Sequence, residues 1–288
     1  MITSPAAQAD NGQPRIGLAL GSGGARGLSH LLIFEVLEEL SLRPHRISGC
    51  SIGAIMGSLY ASGMAAGKIR QELEKLIAAQ DENLFQNLLS GDWRQWLGFI
   101  QPSTRQGGLV ESDAFVDYLN KISGVDKFAE LEIPLQVVAT DYWKREMVVF
   151  DSGEIWPAVQ ASMAMPSLFS PVKHQGRTLI DGGLTNPVPY DLLTEDCDLI
   201  IAVNVLGTRK QEGDKDAKNP TYLENIFNTF QVMQYSILQE KMRREEPDFL
   251  VSPEISGINV MDFHRFHDIL EQGQPQADQL KEDLQKLI

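Results

Sequence analysis

Apolar and polar positions along the chain fall into short blocks whose period alternates between strand-like and helical. Ile16-Gly17-Leu18-Ala19-Leu20 carries no polar side chain, which predicts a short buried strand, and it runs straight into a glycine cluster. Leu32, Phe34, Val36, Leu37 and Leu40 then alternate with Glu35, Glu38 and Glu39, predicting an amphipathic helix over 31–40 that Pro44 closes. Ile47-Ser48-Gly49 predicts a second short strand. Small residues at Gly53, Ala54, Gly57, Ser58 and Ala61 follow it, the composition of a helix packed closely on a sheet.

Residues 66–100 read as mostly helical, 101–111 as a glycine-rich loop, and Ser112 as the N-cap of a helix through Tyr118. Leu135–Thr140, Glu146–Phe150 and Thr178–Ile180 are predicted strands. Leu199–Val205, apolar at six of its seven positions, is the clearest buried strand of all. Residues 207–219 are polar and predict a mobile loop, followed by a helix over roughly 221–244, a strand near Phe249–Val251 and a terminal helix over about 275–287. Strands alternating with helices predict an α/β fold whose sheet is mostly parallel and covered on both faces. Residues 1–14 lack the basic and apolar regions of a secretory signal and read as a disordered leader, leaving 15–288 as a single domain.

Composition narrows the partners. With 288 residues, 43% of them hydrophobic, the chain can bury one large core, and no apolar run is long enough to span a bilayer. The net charge of −14 argues against nucleic acid, whose binding rests on a basic footprint. It argues equally against tight electrostatic docking on anionic lipid, so a lipid-acting enzyme of this charge needs apolar contacts or monomeric substrates. Cys50 and Cys197 are too few for a disulfide framework and have no metal-ligand spacing, which fits a reducing, cytoplasmic setting.

Two motifs carry chemistry. Gly49-Cys50-Ser51-Ile52-Gly53 is a GxSxG pattern placed between a predicted strand and a predicted helix, the context in which a sharp turn presents a serine nucleophile. The glycines let the backbone turn tightly and bring the next helix close, with its positive N-terminal end toward the hydroxyl. About thirty residues upstream, Gly21-Ser22-Gly23-Gly24-Ala25-Arg26-Gly27 offers backbone N–H groups to a developing oxyanion. It is not a dinucleotide fingerprint: counted from Gly21 the sixth position is Arg26, and Ser41–Arg43 stand where a ribose-binding acid belongs. Gly63–Lys68 is likewise one residue short of a phosphate loop.

A serine hydroxyl needs a base. Among the five histidines, His264 or His267 would complete the chain order of a Ser-Asp-His triad with Ser51 and Asp181, although both lie in a polar helical stretch. Asp181 directly follows a strand and precedes Gly182-Gly183, so it can project from the strand end; Asp141, at the end of another strand, competes for the acid role. Only one clear strand precedes the one feeding Ser51, fewer than the standard α/β-hydrolase order requires.

Together with Ala161-Ser162-Met163-Ala164-Met165-Pro166-Ser167-Leu168-Phe169-Ser170-Pro171, these blocks resemble the bacterial patatin-like phospholipases from about residue 15 onward. The resemblance implies a three-layer α/β/α sandwich around a mostly parallel sheet. It also implies a Ser–Asp dyad without a catalytic histidine, Ser51 as nucleophile and Asp181 as base. Backbone N–H groups of Gly23, Gly24 and Ala25 would form the oxyanion hole, Arg26 would organise that loop, and Gly49 and Gly53 would be the elbow glycines. The family motif has glycine where this chain has Ser22. The implied reaction is hydrolysis of phospholipids, lysophospholipids or related acyl lipids through an acyl-serine, with no metal or other cofactor. The implied partners are a lipid ester and a transient membrane-surface contact.

Two other readings stay open: a Ser-Asp-His esterase or thioesterase, and a non-catalytic lipid-binding regulator on the same scaffold. The apolar series from Leu84 through Trp93 and Trp96 to Ile100 reads as core or interface packing, or as a cap over an acyl channel. Cys50 reads as a small packed residue, and Met163 and Met165 as core or acyl-pocket lining. No feature specifies the oligomeric state.

Overall fold

The computed structural model describes residues 14–78, 112–207 and 222–287. The strands are β1 (Ile16–Leu20), β2 (Arg46–Cys50), β3 (Leu135–Asp141), β4 (Glu146–Phe150), β5 (Val172–His174), β6 (Arg177–Asp181), β7 (Leu199–Val203) and β8 (Phe249–Val251). The helices are α1 (His30–Glu39), α2 (Ile52–Ala61), α3 (Ala66–Ala78), α4 (Asp113–Ser123), α5 (Ile155–Ser162), α6 (Tyr222–Met242) and α7 (Phe266–Gln285). Residues 1–13 of the 1–14 leader, the Trp93 and Trp96 series and residues 208–219 of the 207–219 polar stretch lie outside the described residues.

Five strands in the order β3-β2-β1-β7-β8 run parallel. β4, β5 and β6 extend them with antiparallel pairings, so the sheet is mixed and mostly parallel. Both faces of the sheet are apolar because alternate side chains serve different layers. Leu18, Leu20, Ile201 and Val203 join the large core with α1, α2 and α7. Ala19, Ile200 and Ala202 point the other way, to Val188, Tyr190 and Leu238 of α6. The result is the three-layer α/β/α sandwich.

α2 explains its own composition. Its small side places Gly57 where an added Cβ would stand 3.2–3.4 Å from Leu20, Ile47 and Leu135 of the sheet, so the helix lies very close.

One strand arrangement decides the site. β2 pairs with β3 only as far as Cys50 opposite Val138. The next position along β3, Ala139, pairs with Asp181, which arrives on β6 from the opposite direction. The ends of β2 and β6 therefore abut on consecutive rungs of one strand.

Three local expectations change. The terminal helix starts at Phe266 and runs through Pro275. One missing N–H is tolerated there because Ile269, Leu270, Ala277, Leu280 and Leu284 are buried in the core. α4 continues beyond Tyr118 to Ser123, and the Ser112 hydroxyl accepts from Gln160 Nε2 (3.2 Å) instead of capping the helix. α5 was not expected; its Pro157 sits in the first turn, where a proline fits a helix.

Candidate active site

Ser51 stands between β2 and α2 with φ 55° and ψ −121°, a left-handed conformation that costs a non-glycine residue about 1–3 kcal/mol. The surroundings hold it there. Ser51 N donates to Ser162 Oγ (2.8 Å), and the Ser51 carbonyl accepts from Ala54 N (2.9 Å) and Ile55 N (3.2 Å). The flanking glycines allow the fold-back: a Cβ on Gly53 would collide with the Leu20 carbonyl, and one on Gly49 would lie 2.6 Å from the Gly53 carbonyl.

Asp181 meets this turn. Ser51 Oγ donates to Asp181 Oδ2 (2.8 Å), and Gly183 N donates to Asp181 Oδ1 (2.7 Å). Its backbone is fixed on both sides, with Asp181 N donating to the Ala164 carbonyl (3.0 Å) and the Asp181 carbonyl accepting from Thr140 Oγ1 (2.9 Å). The carboxyl is 2% exposed. Burial raises its pKa from 3.8 to about 6, against the opposing pull of the Gly183 and Ser51 hydrogen bonds. The pair thus combines a hydroxyl with a base whose pKa lies near neutrality.

The glycine loop follows β1. Gly24 has φ 60°, and a Cβ there would run into the Val260 carbonyl. Ala25 N donates to that same carbonyl (2.8 Å), so in this geometry it is already engaged. Among the described residues the Gly23 and Gly24 amides have no protein acceptor, and neither has that of Ile52, which follows the serine and which sequence reasoning did not name. Around Ser22 the backbone is fixed, with Gly21 N donating to the Val203 carbonyl and Ser22 N to the Pro187 carbonyl, while the buried Ser22 Oγ has no hydrogen-bond partner among the described residues. Arg26 is buried with its guanidinium against Gly207, and its carbonyl accepts from Ser29 Oγ (2.7 Å).

The competing residues lie elsewhere or do other work. Asp141 Oδ1 accepts from Trp143 N and Lys144 N (both 3.0 Å), and Asp141 Oδ2 stands 3.9 Å from Arg177. His264 and His267 are exposed, and the hydrogen bonds of Ser51 and Asp181 do not include them. His30 is fully buried with Nε2 2.9 Å from the Gly21 carbonyl; burial lowers its pKa to about 4, so it is neutral and donates there, tethering the glycine loop. Cys50 is buried, and desolvation pushes its thiol pKa up, as befits a packed side chain.

An apolar cavity begins at Ser51 and Gly24. Ile52, Ile55, Met56 and Leu59 line it, a single face of α2 at helical spacing. Seven steps of ~1.5 Å rise from Ile52 to Leu59 make that face roughly 10 Å long. Leu73, Phe115, Leu119, Met163, Met165, Leu168 and Phe169 are among the opposing groups, so both methionines singled out from the sequence lie in the cavity wall. Tyr118 and Glu72, polar groups in that wall, hydrogen bond to one another (Tyr118 Oη to Glu72 Oε2, 3.3 Å). Ser162, Val260 and Met261 contribute unforeseen. Ser162 lay inside a quoted sequence block, but nothing local to it showed which amide it would accept.

The family model for patatin-like phospholipases matches residues 18–194. The chain is 33% identical over 196 residues to an uncharacterized NTE family protein of Mycobacterium bovis, covering 68% of this chain and 50% of that protein. It is 29% identical to the lysophospholipase NTE1 of Candida glabrata, covering 90% of this chain and 15% of that one. The chain thus spans about half the length of the mycobacterial relative and a small part of the yeast one. Among solved structures, VipD from Legionella pneumophila has the same fold, with a TM-score of 0.50 at 17% identity over 93% of this chain and 66% of that one. No helix of the described residues is long and apolar enough to cross a membrane.

Proposed function

We propose that this chain, which belongs to the patatin-like phospholipase family, is a serine hydrolase that cleaves carboxylic esters of phospholipids, lysophospholipids or related acyl lipids. One observation carries the reading: a strained serine hydrogen bonded at 2.8 Å to a buried aspartate, in the wall of an apolar cavity. The lysophospholipase among the relatives points to the same substrate class.

In the first half-reaction Ser51 Oγ attacks the ester carbonyl carbon while its proton passes to Asp181 Oδ2. Charge develops on the carbonyl oxygen and is met by the Gly23 and Gly24 amides, and the N-terminal end of α2 adds its dipole. Asp181 then delivers the proton to the departing alcohol, leaving an acyl ester on Ser51. In the second half-reaction a water gives its proton to Asp181 and its oxygen to the acyl carbon, and the proton returns to Ser51 Oγ as the fatty acid leaves. Arg26, packed on Gly207, keeps the donor loop in shape. The continuous core from Ile16 to Leu284 supports treating 15–288 as one catalytic domain. The free thiols Cys50 and Cys197 suit a reducing, cytoplasmic compartment.

Fluorophosphonate labelling and hydrolysis of p-nitrophenyl esters test this. Wild type should label and turn over, Ser51→Ala should do neither, and Asp181→Asn should lose turnover. The double variant His264→Ala/His267→Ala should keep activity; its inactivation with the fold retained would establish a triad instead. Absence of labelling and turnover in wild type would favour a lipid-binding regulator.

A further inference from the structure

We propose that the hairpin joining β3 to β4 docks this protein on an anionic phospholipid bilayer, with Trp143 seated among the headgroups and Lys144 and Arg145 against lipid phosphates. The proposal rests on the lipid-hydrolase reading and gives it a way to reach its substrate.

Exposure is the first argument. Trp143 is 75% exposed and Tyr142 47%, their rings edge-on at 4.8 Å. An indole left this open gives up the burial that usually stabilises a large aromatic, yet its position is tightly built. Asp141 Oδ1 accepts from the amides of Trp143 and Lys144, Arg145 N donates to the Asp141 carbonyl (2.8 Å), and Tyr142 N donates to the Thr178 carbonyl (2.8 Å). The turn closes with Arg145 at φ 58°. The aromatic pair is therefore presented by a rigid hairpin.

Position is the second. β3 runs on beyond the rung where Ala139 meets Asp181, so the hairpin stands roughly 10 Å past the dyad at about 3.3 Å per residue. This is the carboxyl end of the parallel strands, the same end as Ser51 and the glycine loop. Met147, 37% exposed, links the hairpin to the segment that follows Asp181 through a 3.4 Å contact with Asn186 Nδ2.

Charge is the third. The whole chain carries −14, but this corner gathers Lys144, Arg145, Lys173 and Arg177 against two carboxylates, Asp141 and Glu146. Arg177 lies 3.5 Å and Lys144 3.6 Å from Glu146, while Lys173 and Arg145 are exposed. A local positive surface around an exposed Trp–Tyr pair is the chemistry of an interfacial anchor. The acidic remainder of the protein would orient this corner toward an anionic bilayer and hold the other faces away.

The test uses the full chain carrying Ser51→Ala, so that vesicles are not consumed, and sedimentation with vesicles of phosphatidylcholine alone or mixed with phosphatidylglycerol. Binding should require phosphatidylglycerol and weaken as salt rises. Adding Trp143→Ala should lower partitioning about tenfold. The charge reversal Lys144→Glu/Arg145→Glu should lower it at least as much. In the otherwise wild-type chain, with Ser51 intact, both hairpin variants should hydrolyse a short soluble p-nitrophenyl ester at the wild-type rate, which also shows that they fold.

Failure of the parent to bind mixed vesicles, or binding unchanged in both hairpin variants, would overturn the proposal. A concentration-dependent dimer abolished by Trp143→Ala would also overturn it and assign the hairpin to a second copy of the chain. Wild type inactive on the soluble ester would instead defeat the hydrolase reading, while the vesicle result would still report on the hairpin.

Discussion

Replacing Asp181 with asparagine should stabilise the protein at neutral pH while abolishing turnover. In the unfolded chain the carboxyl loses its proton around 3.8; in the folded protein burial holds that proton until about pH 6. Between those values the folded state binds more protons than the unfolded one, so wild-type stability falls as pH rises from about 4 to about 6 and is unaffected by this group on either side. At 1.36 kcal/mol per pKa unit, the ionised carboxylate costs the folded state about 3 kcal/mol above pH 7. Asparagine removes that cost. It keeps an oxygen acceptor for Gly183 N, but Ser51 Oγ must reverse and accept from the amide, a weaker bond by about 1 kcal/mol. The net gain should be about 2 kcal/mol at pH 7.5, shrinking to nothing or slightly reversing near pH 4. Urea unfolding of both proteins across this range, followed by circular dichroism, isolates the effect, because all other titrating groups cancel in the difference. A difference independent of pH, or an asparagine variant less stable than wild type at pH 8, would refute the claim that Asp181 sits ionised at a cost.

The same group should shape catalysis: kcat/KM on a soluble ester should rise with pH through a single ionisation near 6, and a profile flat from pH 5 to 8 would remove Asp181 as the base. Ser162→Ala should destabilise the protein by about 1–3 kcal/mol in urea unfolding, because the buried Ser51 N–H loses its acceptor, and should lower kcat more than it changes KM. Gly24→Ala should lower kcat about 10²–10³-fold, since a side chain facing the Val260 carbonyl must displace the donor loop; near-normal turnover in that variant would rule out this loop as the oxyanion hole. Leu59→Trp should cut activity on long-chain esters while sparing butyrate, because it fills the cavity about two helical turns from the nucleophile.

Much of the site was legible in one dimension because it is local. A turn that must fold between a strand and a helix needs glycine at Gly49 and Gly53, and a helix that must touch a sheet needs Gly57 and Ala61. Those demands act within a few residues, so they leave a pattern. The same holds for β1 and β7, whose unbroken apolar runs announce burial on both faces. Met163 and Met165 were legible as possible pocket lining, whereas the α2 face of Ile52, Ile55, Met56 and Leu59 became a cavity wall only in the folded structure.

What the sequence alone determined, then, was a candidate nucleophile, the glycine loop, the α/β alternation and Asp181 as one of two eligible acids. Tertiary structure decided which of the two meets Ser51. Asp141 and Asp181 both end strands, but only β6 enters the rung next to Cys50, bringing a carboxylate 130 positions away to within 2.8 Å of Ser51. It also decided that Val260 engages Ala25, that Ser162 holds the Ser51 amide, and that Trp143 stands in the open with cations around it. Strand register, burial and hydrogen-bond occupancy depend on partners far along the chain, and no local pattern encodes which distant group will arrive.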